Sequence, residues 1–298
     1  MLDELQRALE GALFGQKRTI EAVIATAIAG GHALLYGLPG LGKTLLAQAF
    51  AQASGLQFAR IQFTPDLLPA DITGTEVLRE GRFVFEPGPI FAQVVLADEI
   101  NRAPPKTQSA LLEAMQEGIV TAGGKRHPLP KPFFVLATMN PIELEGTYPL
   151  PEAQLDRFTA RIPLELPSRS VWSRILNEEP KLPEAVANAH VLVEARRAAA
   201  GRRIASTAME AMVNLALLSH RDPRLRFGLS PRATKAWRDL ARALALLRER
   251  PNVEWDDLRD AARLALPHRL FLTEEADFEG VEPAKVLEDL LEKTMPRA

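Results

Sequence analysis

The sequence predicts an α/β fold, with a parallel sheet that carries helices on both faces, followed by a small all-helical domain. Continuous apolar runs at 33–36, 94–97 and 133–137 are typical of strands buried on both faces. Helical stretches alternate with these runs, as a layered α/β arrangement requires. Beyond residue 168 the apolar residues recur at helical spacing instead. We therefore predict two domains, at 1–167 and 168–298.

Composition narrows the classes of protein to consider. The 298 residues include 36 Lys plus Arg and 38 Asp plus Glu, a net charge of −2, which does not suggest a dedicated nucleic-acid surface. The chain has no cysteine, so disulfides and thiolate chemistry are excluded. No apolar run approaches the ~18 residues that span a bilayer, and the first ten residues lack the core of a signal peptide. We expect a cytoplasmic protein without a membrane span.

The most informative motif is Gly37-Leu38-Pro39-Gly40-Leu41-Gly42-Lys43-Thr44, which fits G-x-x-x-x-G-K-[ST]. It follows a predicted strand and opens a predicted helix at Leu45, which is the context that a phosphate-binding loop needs. A glycine-rich turn before a helix is the alternative interpretation, but chance rarely produces the whole pattern. Glycines let backbone amides turn towards phosphate oxygens, and the helix N-terminus adds positive charge. The predicted nucleotide contacts are Gly37, Pro39, Gly40, Leu41, Gly42, Lys43, Thr44 and Leu45.

Polar residues follow two other predicted strands. Asp98 and Glu99 end the run 94–97, where Asp98 can help Thr44 to hold Mg²⁺ and Glu99 can polarise an attacking water. Asn140 follows the run 133–137, at the edge where open α/β sheets bind ligands. Asn140 is therefore a candidate contact to the γ-phosphate or the water, although an asparagine before a proline also commonly begins a turn.

Two arginines have side chains suited to phosphate, Arg157 before the apolar stretch 162–166 and Arg232 at the start of a predicted helix. Taken alone, a solvated surface role is favoured for both. Longer runs change this interpretation, because 98–108, 111–117, 137–141, 151–158 and 229–233 together resemble the MoxR family of AAA+ ATPases. The resemblance covers nearly the whole chain.

This resemblance implies a P-loop NTPase of the AAA+ type that hydrolyses ATP with Mg²⁺, and it assigns further roles. Asn140 resembles the first sensor, and Arg157 the arginine finger that contacts the nucleotide of a neighbouring subunit. Arg232 resembles the second sensor, which acts from the helical lid on the nucleotide of its own subunit. Phe14 and Gly15 resemble the segment that lines the adenine pocket. A finger supplied by a neighbour implies a homo-oligomeric ring, expected to be a hexamer.

The resemblance also implies a chaperone-like activator that remodels or matures partner complexes, often with von Willebrand factor A-like domain proteins and sometimes for metal insertion. Two hairpins are expected, at 74–89 and 119–129, the second with Gly123-Gly124 at its tip and Lys125-Arg126-His127 beside it. For these basic residues a solvated turn and a client contact remain equally good interpretations. Two alternatives stay open for the whole protein: a nucleic-acid motor related to MCM-type helicases, and a slow nucleotide-switched assembly protein.

Overall fold

The computed structural model describes residues 1–139 and 147–296. The strands in these residues are β1 (Ala33–Tyr36), β2 (Phe58–Gln62), β3 (Gly74–Arg79), β4 (Arg82–Pro87), β5 (Val94–Asp98), β6 (Ile119–Ala122), β7 (Lys125–Pro128), β8 (Phe134–Met139) and β9 (Ala160–Pro163). The helices are α1 (Leu2–Ala12), α2 (Lys17–Ala29), α3 (Lys43–Ala53), α4 (Pro69–Thr73), α5 (Pro105–Glu117), α6 (Glu152–Leu155), α7 (Arg169–Asn177), α8 (Ala189–Ala200), α9 (Ser206–Ser219), α10 (Pro231–Leu247), α11 (Trp255–Ala265), α12 (Glu274–Phe278) and α13 (Pro283–Thr294). Single 3₁₀ turns lie at Pro89–Phe91, Ile100–Arg102 and Pro267–Arg269.

Five strands form one parallel sheet in the order β2-β5-β8-β1-β9. Ala33 pairs with Leu136 on one side of β1 and with Ala160 on the other, so the strands begin at one edge of the sheet. Their carboxyl ends meet at the opposite edge, where Tyr36 pairs with Met139. Helices connect the parallel strands, as this topology requires. The predicted parallel α/β fold is confirmed.

The sheet is covered on both faces because alternate residues of each strand point to opposite sides. Leu35, Leu96 and Leu136 belong to one core cluster, which includes residues of α1, α2 and α3. Leu34 and Val95 belong to a second cluster, which includes residues of α4 and α5. Continuous apolar strands fill both cores, which explains why their sequence shows no alternation.

Both expected hairpins are present outside the main sheet. Strands β3 and β4 pair antiparallel, and so do β6 and β7, with Gly123 and Gly124 between the latter two. The Phe85 ring of the first hairpin stacks on the His127 ring of the second, with 3.9 Å between ring centroids. The two hairpins therefore form one projecting unit.

The C-terminal part is helical, and α10 is its central element. Trp237 and Leu240 in α10 are fully buried, and the Ser230 side chain caps the helix by accepting a hydrogen bond from the Ala233 amide at 3.1 Å. At the other end, Arg248 binds Glu21 of α2 at 2.8 Å. Helix α10 thus lies along the α/β part and joins its core cluster. The domain boundary near Pro167 stays a prediction.

No helix of the described residues combines the length and the apolar character needed to cross a membrane.

Candidate active site

The phosphate-binding loop lies at the carboxyl edge of the sheet, between β1 and α3. Gly40 and Gly42 have φ angles of 82° and 87°, a left-handed conformation that glycine adopts without a Cβ clash. The Lys43 ammonium donates a hydrogen bond to the Gly37 carbonyl at 2.5 Å, which spans the loop from its last residues back to its first. Thr44 follows in the first turn of α3. The backbone thus has the concave form that holds phosphate groups.

The acidic pair lies at the same edge, at the end of β5. The Thr138 hydroxyl donates to Asp98 Oδ1 at 2.7 Å and accepts from the Glu99 amide at 2.8 Å. Glu99 itself is in the left-handed conformation, with φ of 56°. One hydroxyl from the adjacent strand therefore fixes the turn that separates the two carboxylates.

Electrostatic coupling shows that these groups belong to one site. Partial burial lowers the pKa of Lys43, and the charges of Asp98 and Glu99 raise it in opposition. The Lys43 ammonium group is therefore partly removed from water and lies near two carboxylates. Such a group can accept the negative charge of a phosphate without a large solvent rearrangement.

Three polar residues of the site were missed by the sequence interpretation: Arg60, Gln62 and Thr138. Arg60 Nη2 binds Asp98 Oδ2 at 2.7 Å, and Gln62 Nε2 donates to Glu99 Oε2 at 2.8 Å. The available signal was the spacing of Arg60 and Gln62, two residues apart, since such residues share one face of a strand. Strand β2 was not recognised because polar side chains interrupt its apolar character.

The segment before α2 lies beside the phosphate loop, as the adenine assignment of Phe14 and Gly15 requires. Leu13 is the nearest side chain to Gly42. The Phe14 ring is covered by the guanidinium of Arg174 in α7, 3.8 Å from the ring centroid. The assignment of an adenine contact stays a prediction.

Arg157 and Arg232 lie together, but at the other edge of the sheet. The Thr159 amide binds the His32 carbonyl just before β1 begins, so Arg157 precedes the amino end of β9. Arg232 Nη1 lies 3.6 Å from Asp156 Oδ2. The length of β1, about 10 Å at roughly 3.3 Å per residue, separates this edge from the loop after Tyr36.

Arg232 thus lies beside Asp156, near the amino end of β9, and its expected action on the nucleotide of its own subunit stays a prediction. Helix α10 begins beside Asp156 and ends at Arg248, which contacts Glu21 of α2. The role of Arg157 as an arginine finger likewise stays a prediction. Asn140, the predicted first sensor, falls outside the described residues.

Comparisons with known proteins agree with this geometry. The ATPase family associated with various cellular activities (AAA) matches residues 32–160, and an AAA lid domain matches residues 220–290. The uncharacterised protein YeaC of Bacillus subtilis is 41% identical over 98% of this chain and 93% of its own length. Chaperone MoxR1 of Mycobacterium tuberculosis is 40% identical over 97% of this chain and 81% of its own length.

A crystal structure of a protein from Cytophaga hutchinsonii, assigned as an ATPase, superimposes with a TM-score of 0.90. That protein is 36% identical, and the match covers 99% of this chain and 94% of the other. The family models, the relatives and the solved structure thus all match the AAA type of ATPase. The chain belongs to the MoxR family of AAA+ ATPases.

Proposed function

We propose that Lys43, Asp98 and Glu99 carry out Mg²⁺-dependent hydrolysis of ATP at the carboxyl edge of the sheet. The observation that carries this proposal is the meeting of the Gly37–Thr44 loop with both carboxylates, whose charges oppose the lowering of the Lys43 pKa by burial. Water attacks the γ-phosphorus, the bond to the β-phosphate oxygen breaks, and ADP and phosphate leave. Glu99 orients the water, and Lys43 stabilises the charge on the transferred phosphoryl group.

The residues present fit Mg²⁺. Magnesium prefers oxygen ligands and is commonly bound through one or two carboxylates together with substrate phosphates. Asp98 and the Thr44 hydroxyl supply such oxygens, and Thr138 orients one carboxylate oxygen by its hydrogen bond of 2.7 Å. The ion would neutralise phosphate charge. Arg60 contacts the other Asp98 oxygen, so its guanidinium has to share or leave this carboxylate when the ion binds.

A neighbouring subunit completes the site in this proposal. Arg157 and Arg232 share one edge, away from their own phosphate loop, which supports a contact of Arg157 with a nucleotide bound by another copy. Their guanidinium groups suit the planar, bidentate recognition of phosphate. This arrangement requires head-to-tail contacts, which close into a ring, and we propose a hexamer.

We further propose a chaperone-like action on partner proteins, including von Willebrand factor A-like domain proteins and complexes that receive a metal. The β3–β4 hairpin supports a protein partner, because Leu78 and Phe83 are paired across it and remain 65% and 71% exposed. Large apolar side chains on a projecting unit are typical of interaction sites. Arg79 and Arg82 form the next pair of this hairpin, so the support for a protein partner comes from the exposed apolar pair itself.

The decisive experiment replaces Glu99 with Gln and measures both turnover and nucleotide affinity. We expect Glu99→Gln to bind ATP as the parent does and to lose hydrolysis, since the amide cannot accept the proton of the water. Glu279→Gln, at an exposed glutamate of the C-terminal helices, is the matched control and should retain full activity. Parental turnover in Glu99→Gln would remove Glu99 from the mechanism.

A further inference from the structure

The segment 152–159, which carries Arg157, is bound by side chains of the helical part. Arg226 forms an ion pair with Glu152 at the start of α6. Arg269 Nε binds Asp156 Oδ1 at 2.7 Å. These contacts join residues that are 74 and 113 positions apart in the chain. The helical part therefore contacts the segment at two points, Glu152 and Asp156.

Arg269 makes the most extensive of these contacts. Besides the Asp156 carboxylate, its guanidinium donates to the Asp156 carbonyl at 2.9 Å and the Thr159 carbonyl at 3.3 Å. A further hydrogen bond of 2.6 Å goes to the Ala265 carbonyl within the lid. Arg269 is only 4% exposed, and a buried guanidinium is kept only where its donors find acceptors. Its contacts with this segment, at Asp156 and Thr159, lie on both sides of Arg157.

His268 binds a further carbonyl of this segment, that of Phe158. Its Nε2 lies 2.9 Å from the Phe158 carbonyl oxygen, and because a carbonyl only accepts, Nε2 carries the proton. Burial lowers the pKa of His268 to about 3, so the imidazole is neutral. Together, His268 and Arg269 bind the carbonyls of residues 156, 158 and 159.

Arg157 itself is not fixed in the same way. Its Nε is buried and has no hydrogen-bond partner among the described residues. The side chain lines a cavity of about 490 Å³ together with Glu113, Glu117 and Arg126. The backbone of Arg157 is thus held from the lid, while its guanidinium faces an open, charged cavity.

We propose that Arg269 is a positioning residue, which, with His268, holds Arg157 in place for catalysis at the nucleotide of a neighbouring subunit. The proposal rests on the proposed function, since it assumes that Arg157 acts on another copy. Arg269 does not contact ATP. Each lid therefore influences the site next door through Arg157, and a lid movement that loosens 156–159 lowers hydrolysis there. A misplacement of about 1 Å of a catalytic group costs about 100-fold in rate.

The test uses mixed assemblies of full-length variants. Lys43→Ala subunits cannot hydrolyse ATP but still present Arg157, and Arg269→Gln subunits bind ATP but misplace Arg157. We expect Arg269→Gln alone to lose about 100-fold in kcat with unchanged affinity for a fluorescent ATP analogue. Mixing it with Lys43→Ala should restore hydrolysis, whereas mixing it with Arg157→Ala should not. Arg263→Gln, at a half-exposed lid arginine paired with Glu288, is the matched control with parental activity.

Each outcome has a defined meaning. Restored activity with Lys43→Ala supports the positioning role. If Arg157→Ala and Lys43→Ala complement each other but Arg269→Gln and Lys43→Ala do not, the role of Arg269 is overturned while the neighbour-supplied finger stands. If Arg157→Ala and Lys43→Ala also fail to complement, the proposed action between subunits is itself overturned.

A second variant covers the case in which Arg269→Gln does not fold. Asp156→Asn keeps an oxygen acceptor but removes the charge that pairs with Arg269, at a residue that is only partly buried. It should show the same pattern of complementation with a smaller loss of kcat. An Asp156→Asn protein with parental kcat would contradict the proposal.

Discussion

Acidification from about pH 7.5 to about pH 5 is expected to destabilise the protein through two buried histidines. His32 Nε2 donates to the Met115 carbonyl and its Nδ1 accepts from the Val135 amide, so it is satisfied as a neutral ring. Burial lowers its pKa from 6.5 to about 4, and that of His268 to about 3. Both rings are therefore neutral in the folded protein at pH 5.

Stability falls with pH because a histidine of the unfolded chain takes up a proton below its ordinary pKa of about 6.5. Because the folded pKa is depressed, the stabilisation is complete above about pH 6.5 and decreases as the pH falls towards the folded values. At pH 5, about 1.5 pH units below the unfolded pKa, the contribution of each histidine to the free energy of unfolding has fallen by about 2 kcal/mol. The two histidines together therefore remove about 4 kcal/mol.

The assay is urea unfolding at both pH values, followed by the fluorescence of the buried Trp237. The His32→Gln variant keeps a hydrogen-bond donor and acceptor but has no group that titrates. Its free energy of unfolding should therefore decrease by about 2 kcal/mol less than that of the parent between the two pH values. His190→Gln, at an exposed histidine, should behave as the parent. An equal loss in the parent and in the His32→Gln protein would refute the reasoning.

Three further perturbations address the site, the hairpin and the lid. Arg60→Gln removes the 2.7 Å contact with Asp98 and should lower the Mg²⁺ concentration for half-maximal ATPase activity by up to about fivefold, since a half-exposed pair is worth at most about 1 kcal/mol. An unchanged Mg²⁺ titration would show that Arg60 does not compete with the ion for Asp98. Phe83→Ser should change the free energy of unfolding by less than about 0.5 kcal/mol and reduce capture of partner proteins by the ATP-bound Glu99→Gln form; undiminished capture would exclude Phe83 from the client surface. Trp237→Ala should lower the unfolding free energy by about 3–5 kcal/mol in a urea titration; a smaller loss would mean that the lid repacks around the cavity.

The sequence alone was sufficient for the phosphate loop and the acidic pair. In Gly37–Thr44 the residue types act through their own backbone, so eight consecutive positions define both the conformation and the chemistry. Asp98 and Glu99 follow four apolar residues, a pattern that predicts a strand buried on both faces. The helical character of the residues beyond 168 was predicted as well, since an amphipathic pattern is a local property.

Other parts of the site depend on pairings that no local pattern records. Arg60 and Gln62 reach the two carboxylates only because β2 lies next to β5, with Gln62 opposite Asp98. Thr138 reaches them from the other neighbour, β8. Strand order is set by how helices cover a sheet, and one sequence pattern is compatible with several orders.

The sequence by itself determined that this chain carries a phosphate-loop motif and an acidic pair, because each of these is a run of contiguous residues. Only the tertiary structure decided which groups surround Arg232, since α10 packs with its first turn beside Asp156 and its end beside Glu21. Tertiary packing also brings Arg269, in the turn after α11, to Asp156, 113 residues away. Contacts over such distances arise from the burial of whole helix faces, and a sequence motif contains no information on their direction.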